Sequence, residues 1–359
     1  MHDDLTRFIR EMPKAELHIH LEGSLEPELM FEIAGRNRME LPFHSAAEVR
    51  QAYQFTDLQS FLDIYYEGMS VLLREEDFRD MTLAYLERAH GDNVRHAEMF
   101  FDPQAHTGRG VPLGTVLRGI RSAMEVMERR AGISTRLILC FLRHLSAEAA
   151  MATLEEALPF REWITGVGLD SSEIGNPPER FAAVFARARA EGFRVVAHAG
   201  EEGPPEYIRQ ALDLLGAERI DHGVRCLEDP GLVQRLRVEQ VPLTVCPLSN
   251  VRLRVFDSMA GHDLKRLLDL GLRVTVNSDD PAYFGGYITD NFLAARDALG
   301  LAREDIVTLA RNSFLAAFLG PEEKERLLRE LDRFTAGFTA GQNRHRGSDA
   351  REKTGRQKP

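Results

Sequence analysis

Short β-branched or aliphatic segments recur along this chain, separated by stretches with helical periodicity, and several of them are nearly all apolar. Strands of a parallel sheet that are buried on both faces form continuous apolar runs of this kind rather than alternating ones. We therefore predict eight strands, over residues 15–21, 96–101, 136–142, 164–170, 194–200, 219–223, 241–247 and 273–279. Pro27 and the pair Pro204 and Pro205 suit the first turns of two intervening helices.

Four polar clusters stand where predicted strands end. They are His18 and His20 in AELHIHLEG, His198 to Glu201 in VVAHAGEE, Asp221 and His222 in RIDHG, and Asp279 and Asp280 in VTVNSDDP. Eight strands alternating with helices predict an α/β fold, a (β/α)₈ TIM barrel, whose active sites lie at the C-terminal ends of the strands. An open doubly wound sheet would not bring these four strand ends together so readily.

A long segment, residues 22–95, separates the first two predicted strands and holds about three predicted helices. Insertions on this face of a barrel often form lids, and Phe61, Leu62 and Tyr65 could close over a flat ring. For most aromatic residues here, packing between helices is the simpler interpretation. We assign residues 1–340 to one domain and predict a disordered basic tail over 341–359.

The composition excludes several classes of protein. With 43% hydrophobic and 28% charged residues among 359, the chain is typical of globular proteins, and its formal net charge of -11 argues against a nucleic-acid partner. Its three cysteines form no CxxC pair, which favours a reducing cytoplasm. No apolar run suggests a signal peptide or a membrane span, so we expect a cytoplasmic protein. The oligomeric state is not predicted.

The histidines of the first cluster alternate along a strand, so both side chains point into the barrel mouth. Such a pair alone is weak, since buried structural histidines are commoner than ligands. His198 would add a third nitrogen and Asp279 an anionic oxygen. Three histidines and one aspartate suit a single catalytic Zn²⁺ that keeps a position open for water. The joint pattern therefore predicts a metallohydrolase.

Three further residues have candidate roles in catalysis. Glu201 could transfer protons from the substrate side of the metal, or it could serve as an acidic residue before a helix, which Glu202 fits better. His222 could be a fourth nitrogen ligand or a base, and ligand counting favours the base. Asp280 could bind a ring nitrogen of the substrate or cap the loop before Pro281.

The remaining histidines lack partners at ligand spacing, and we interpret them as structural or surface residues, with His144 near the end of the third strand as a possible pocket residue. They are His2, His44, His90, His96, His106, His144, His262 and His345. Cys246 has no second cysteine nearby, so a zinc site of the cytidine deaminase type is absent.

At these motifs the chain resembles the adenosine/adenine deaminase family of the amidohydrolase superfamily. The matching pieces, in order, are MPKAELHIHLEGSLEPE, HAGEEG, RIDHG, VCPLSN and NSDDP, and the resemblance covers roughly residues 12–320. It implies one Zn²⁺ per chain, bound by His18, His20, His198 and Asp279. It also implies that Glu201 protonates purine N1, that His222 orients the attacking water and that Asp280 contacts N7.

The resemblance is greatest to the adenine deaminase branch. Where adenosine deaminases have an aspartate near the ribose, this chain has the longer Glu22, and Ser171 replaces a glycine that approaches N3. Asn176 departs from the branch, where histidine is expected. We therefore expect hydrolysis of adenine to hypoxanthine and ammonia, in purine salvage and nitrogen catabolism. The alternatives are deamination of adenosine or of N6-substituted adenines, another metal-dependent hydrolysis on the same barrel, and a non-catalytic binding protein.

Overall fold

Eight parallel strands close into a barrel in the computed structural model, which describes the backbone of residues 2–354 and the side chains of residues 4–338. They pair in sequence order and are β1 (Lys14–His20), β2 (Val94–Phe101), β3 (Ser134–Leu142), β4 (Gly166–Asp170), β5 (Arg194–Ala199), β6 (Arg219–His222), β7 (Leu243–Val245) and β8 (Val274–Val276). A parallel bridge between Ile19 and Asp279 joins the end of β8 back to β1. The predicted TIM barrel is confirmed.

Helices surround the barrel and follow most of its strands. They are α1 (His2–Glu11), α2 (Pro27–Asn37), α3 (Ala46–Ala52), α4 (Leu58–Gly68), α5 (Glu75–Gly91), α6 (Pro103–Thr107), α7 (Leu113–Ala131), α8 (Ala147–Ala157), α9 (Ala182–Ala190), α10 (Pro205–Gln210), α11 (Pro230–Glu239), α12 (Pro247–Arg252), α13 (Leu264–Asp269), α14 (Pro281–Phe284), α15 (Ile288–Leu299), α16 (Arg303–Ala316) and α17 (Pro321–Thr354). Pro27 and Pro205 occupy first helical positions, as predicted.

All eight predicted strands are present, with β7 and β8 shorter than expected at three residues each. The insertion between β1 and β2 holds four α-helices rather than about three, because residues 46–52 form a separate short helix whose N-cap, Ser45, accepts from the Glu48 amide. The predicted basic tail, 341–359, lies outside the residues whose side chains are described, and its disorder stays a prediction.

A buried charged network fills the lower part of the barrel. Arg219 Nη1 lies 2.6 Å from Glu98 Oε2, and His96 Nε2 lies 3.0 Å from Glu98 Oε1. Burial alone would raise the pKa of Glu98, but the Arg219 guanidinium and His96 outweigh it and lower the pKa to about 2. Because removing one partner would leave an unpaired buried charge, this network fixes the strands that carry it. Beneath it, Phe318 packs against the inner apolar cluster.

Helices α5 and α7 pack closely because Gly119 has no side chain. A Cβ at this position would lie 2.7 Å from Phe78 Cβ and 3.1 Å from the Arg79 amide nitrogen.

We predict that Gly119→Ala lowers the free energy of unfolding by about 1–3 kcal/mol through overpacking. Gly35→Ala, in α2 with no atom within 4 Å, is the matched control and should stabilise by about 0.5–1 kcal/mol. Thermal denaturation of both variants checks this, and an unchanged melting temperature for Gly119→Ala would contradict it.

Candidate active site

The four polar clusters converge at the C-terminal ends of β1, β5, β6 and β8, as the barrel fold requires. His18 Nε2 lies 3.1 Å from Asp279 Oδ1, and His20 Nε2 lies 3.2 Å from His198 Nε2. His20 Nε2 is also 3.5 Å from Asp279 Oδ1. All four side chains are buried. The residues predicted as metal ligands therefore form one compact cluster of ligand-type atoms.

This cluster has the donor set that a divalent metal requires. Overlapping groups of side chains place ligand-type atoms within 4.8 Å of one another: His18, His198 and His222 with Asp279, and His20 with Asp279 and Asp280. Burial raises the pKa of Asp279, but the surrounding imidazoles, His18 first, outweigh it and hold that pKa well below its usual range. Burial, reinforced by the neighbouring imidazoles, depresses the pKa of His198. Neutral imidazoles beside an ionised carboxylate are the protonation states that metal ligands need.

A second layer of side chains orients these imidazoles. Thr244 donates its hydroxyl hydrogen to Asp221 Oδ1 at 2.8 Å, so its oxygen accepts from His18 Nδ1 at 2.9 Å. His18 therefore carries its proton on Nδ1 and directs the Nε2 lone pair into the cluster. Asp221 Oδ2 faces His198 Nδ1 at 3.6 Å. One carboxylate thus serves two of the candidate ligands.

Two aspartates form an acidic pair beside His20. Asp170, at the end of β4, faces His20 Nδ1 with Oδ2 at 3.6 Å. Asp102, just beyond β2, shares a side-chain hydrogen bond with Asp170. Burial first, and then the charge of Asp170, raises the pKa of Asp102 well above its usual range. One of the two carboxyls therefore keeps a proton near neutral pH and donates it to the other.

Glu201 stands on a turn that one carboxylate holds in place. The Glu173 carboxylate accepts from the amides of Gly200 at 2.6 Å, Glu201 at 3.1 Å, Glu202 at 2.9 Å and Gly203 at 2.8 Å. The Glu201 side chain is only 4% exposed. Burial, and next the charge of Asp279, raises its pKa well above the usual value. Glu201 is therefore a rigidly held carboxyl whose raised pKa suits proton transfer.

Several site residues have unusual backbone conformations. His222 and Asp279 have φ angles of 63° and 65°, and Ser171 has 72°. Non-glycine residues in the left-handed region cost free energy, and such residues concentrate at functional sites. Each stands at or just after the end of a strand, where this conformation turns the chain away from the barrel and leaves its side chain in the mouth.

Asp280 lies beside the ligand cluster, as predicted. Its side chain is buried, and its Oδ1 is a buried atom without a hydrogen-bond partner. Burial, and then the neighbouring charge of Asp279, raises the pKa of Asp280 well above its usual range. A Cβ on residue 23 would collide with this carboxyl, so Gly23 makes the space for it. Asp280 is thus a protonated group with one oxygen free for a ligand.

A cavity opens over the cluster, and α4 forms one of its walls. The residues that line it are His20, Leu58, Phe61, Leu62, Tyr65, Tyr66, Asp102, Asp170, Ser171, His198, Glu201, His222, Leu253, Asp279 and Asp280. Phe61, Leu62 and Tyr65 thus reach the cavity as predicted. Phe61 also packs on Phe284 with ring centroids 4.8 Å apart, so the predicted role of aromatic residues in helix packing holds as well.

Glu22 lies behind this wall rather than in it. Its Oε1 accepts from His106 Nε2 at 2.8 Å and from the Asp102 amide at 3.1 Å, and the side chain is fully buried. His106, for which the sequence offered no partner, is therefore the support for Glu22. Ser171 does line the cavity, where its Oγ lies 2.8 Å from His144 Nδ1 and 3.1 Å from the Tyr66 hydroxyl.

Sequence reasoning missed several residues of the site. Asp102 and Asp170 follow the rule that identified the other clusters, since each is a polar residue at the end of a strand, and they could have been found by it. Asn250 stands within the motif VCPLSN but received no role, although its Nδ2 lies 3.4 Å from Glu201 Oε1. Glu173, in a loop distant from Glu201 along the chain, gave no sequence signal.

A parallel barrel with a buried cluster of histidines and aspartate at the C-terminal strand ends, able to hold a metal, is typical of hydrolases of the amidohydrolase type. The family model described as "Adenosine deaminase" matches residues 13–334. The chain belongs to the adenosine deaminase family.

Relatives within the family include an adenine deaminase from Hahella chejuensis, which is 63% identical over 327 residues, covering 91% of this chain and 98% of that protein. An adenine deaminase from Sphingopyxis alaskensis is 61% identical and covers 93% of this chain and 98% of its own. The predicted membership of the adenine deaminase branch is confirmed.

Solved structures agree with this placement. The crystal structure of adenine deaminase from Arthrobacter aurescens has a TM-score of 0.89 and 53% identity, with coverage of 90% of this chain and 99% of that one. An amidohydrolase from Burkholderia ambifaria, solved with bound Zn, has a TM-score of 0.86 and 28% identity over 94% of this chain and 95% of its own. Among residues 2–354, no helix combines the length and apolar character needed to cross a membrane.

The carboxylate of Asp221, which faces both His18 and His198, provides a test of the candidate ligand cluster. Asp221→Asn removes the negative charge that faces His18 and His198, so we expect a roughly 10–100-fold loss of metal affinity with the fold retained. Competition with a chelator of known affinity measures this, and circular dichroism checks the fold. Asp257→Asn, an exposed site, is the control. Unchanged affinity in Asp221→Asn would show that this carboxylate does not orient the ligands.

Proposed function

We propose that this chain is an adenine deaminase, a zinc-dependent hydrolase that converts adenine to hypoxanthine and ammonia. The observation that carries the proposal is the convergence of a metal-type cluster and the carboxyls of Glu201 and Asp280, whose pKa values burial raises, on one buried cavity. The names of the relatives at 60% identity and above point to the same reaction. Adenosine and N6-substituted adenines are the alternative substrates.

Zn²⁺ is the metal that suits the cluster best, with His18, His20, His198 and Asp279 as its ligands. Three imidazoles and one carboxylate are typical zinc donors, and a zinc-containing relative shares the fold. When bound, Zn²⁺ supplies a water that is deprotonated near neutral pH. The residues of the chain must then hold the purine, move protons and exclude bulk water.

Glu201 supplies the proton that the ring needs. Attack at C6 places electrons on the ring, and protonation at N1 lets the ring accept them. A buried carboxyl whose pKa is raised carries that proton at neutral pH, while an exposed glutamate would have lost it. The four amides that hold Glu173 keep the turn rigid, so the proton is presented at a fixed place.

His222 and Asp280 complete the polar contacts. Burial lowers the pKa of His222 to about 3, so the imidazole is neutral, and its Nε2 lies 3.5 Å from Glu201 Oε2 and 3.8 Å from Asp279 Oδ2. From there it orients the attacking water and stabilises the charge that develops at C6. The protonated Asp280 has a free oxygen and donates to N7 of the purine.

The wall of the cavity favours a free base over a nucleoside. Ser171 lines the cavity and is hydrogen-bonded to His144 and Tyr66, and we assign it to the side where an N9 substituent would extend. Glu22 acts indirectly, because it fixes the Asp102 amide from behind the wall. We assign the enzyme to purine salvage and nitrogen catabolism in the cytoplasm, which the three free cysteines suit.

Removing the proton of Glu201 tests this function. Glu201→Gln preserves the shape but has no transferable proton, so we expect kcat for ammonia release from adenine to fall by at least about 100-fold while bound zinc is unchanged. Glu202→Gln is the matched control, since the side chain of this neighbour accepts from the Leu58 amide at 3.4 Å, away from the assigned proton chemistry, and should keep near-normal kcat. Full activity in Glu201→Gln would refute the assigned role.

A further inference from the structure

Asn250, at the start of α12, lies between the two groups assigned to proton chemistry. Its Nδ2 is 3.4 Å from Glu201 Oε1 and 3.3 Å from His222 Nδ1. Its Oδ1 lies 3.2 Å from His262 Nε2, and the Leu264 amide donates to His262 Nδ1 at 3.0 Å. Asn250 is fully buried and His262 is 4% exposed, so water does not compete for these bonds.

The direction of each hydrogen bond follows from the backbone amide that begins the series. An amide N–H can only donate, so His262 Nδ1 accepts from Leu264 and carries no proton. Burial lowers the pKa of His262 to about 4, which keeps the ring neutral and leaves its one proton on Nε2. His262 Nε2 therefore donates to Asn250 Oδ1. Both hydrogens of Asn250 Nδ2 then remain for Glu201 Oε1 and His222 Nδ1.

We propose that His262 and Asn250 are positioning residues that fix where the two catalytic groups carry their protons. His222 Nδ1 accepts from Asn250, so its proton lies on Nε2, the nitrogen that faces the metal cluster. Glu201 Oε1 also accepts from Asn250, so its proton lies on Oε2, the oxygen nearer His222 Nε2. This inference rests on the proposed deaminase function for its catalytic consequence, while the tautomers of His262 and His222 follow from the hydrogen-bond geometry.

The proton positions can be measured without activity. In zinc-loaded protein labelled with ¹⁵N-histidine, two-bond ¹H–¹⁵N correlation spectra distinguish Nδ1–H from Nε2–H rings. Spectra of His222→Gln and His262→Gln assign the two resonance sets. We expect both rings as the neutral Nε2–H tautomer, and we expect His222 to become a mixture of tautomers in Asn250→Ala. A proton on Nδ1 of either ring in the wild-type protein would overturn the proposal.

Kinetics test the consequence for the reaction. Asn250→Asp replaces the donor with a carboxylate that cannot donate to Glu201 Oε1 or His222 Nδ1, so kcat for adenine should fall by about 10–100-fold, with KM changed less than about threefold and zinc content unchanged. Asn312→Asp is the control, since its Nδ2 donates to Val274 O at the start of β8. Equal kcat in Asn250→Asp and wild type would overturn the catalytic role.

Two substitutions of His262, one that keeps a hydrogen-bond donor and one that removes it, distinguish a positioning role from structural support. His262→Gln retains an N–H donor for Asn250, whereas His262→Leu has none. The kcat of His262→Gln should therefore be at least about tenfold higher than the kcat of His262→Leu. Equal losses of kcat in the two His262 variants would contradict the proposal even if Asn250→Asp failed to fold. If wild-type protein released no ammonia from adenine, the proposed function would fail, and the tautomer spectra would still decide the proton positions.

Discussion

The active site and the closure of the barrel depend on the same hydrogen bonds. The Asp279 amide donates to His18 O at 3.0 Å, and Asp279 O accepts from the His20 amide at 3.0 Å. Residue 279 therefore joins the last strand to the first and places its side chain against both histidines of β1. Glu16 supports this junction, since its carboxylate accepts from the Ser278 amide at 2.9 Å and from Ser278 Oγ at 2.7 Å. The candidate metal cluster forms only if the barrel closes in this register.

Burial then gives chemically similar residues different roles. Asp279 and Asp280 are adjacent and both buried, yet imidazoles facing Asp279 keep it ionised, whereas Asp280 faces that charge and keeps its proton. Glu201 is protonated for the same reason as Asp280. The proposed ligand and the two proposed proton donors are thus three carboxyls with different pKa shifts, because each responds to its own neighbours. The arrangement suits a reaction that must activate water and protonate a ring together.

Much of this structure could be predicted from sequence for physical reasons. Strands buried on both faces are rich in apolar residues, so all eight could be recognised, and polar residues at one end of such runs mark the barrel mouth. The cluster around His18 and Asp279 followed from that rule. The position of Glu22 could not be predicted, since it depends on His106 reaching across from another element. The second layer was equally hidden, because Glu173, in a loop, and Asn250, in the short helix α12, reach Glu201 from elements distant along the chain.

The most direct test of the account compares substrates on the zinc-loaded wild-type protein. Ammonia release would be measured with adenine, adenosine and N6-methyladenine under identical conditions, and kcat/KM determined for each. We expect a strong preference for adenine, because Ser171 is assigned to the side of the cavity where a ribose would extend. Preference for adenosine would contradict the substrate assignment while preserving the proton chemistry. No ammonia from any of the three, with zinc bound, would contradict the deaminase function itself.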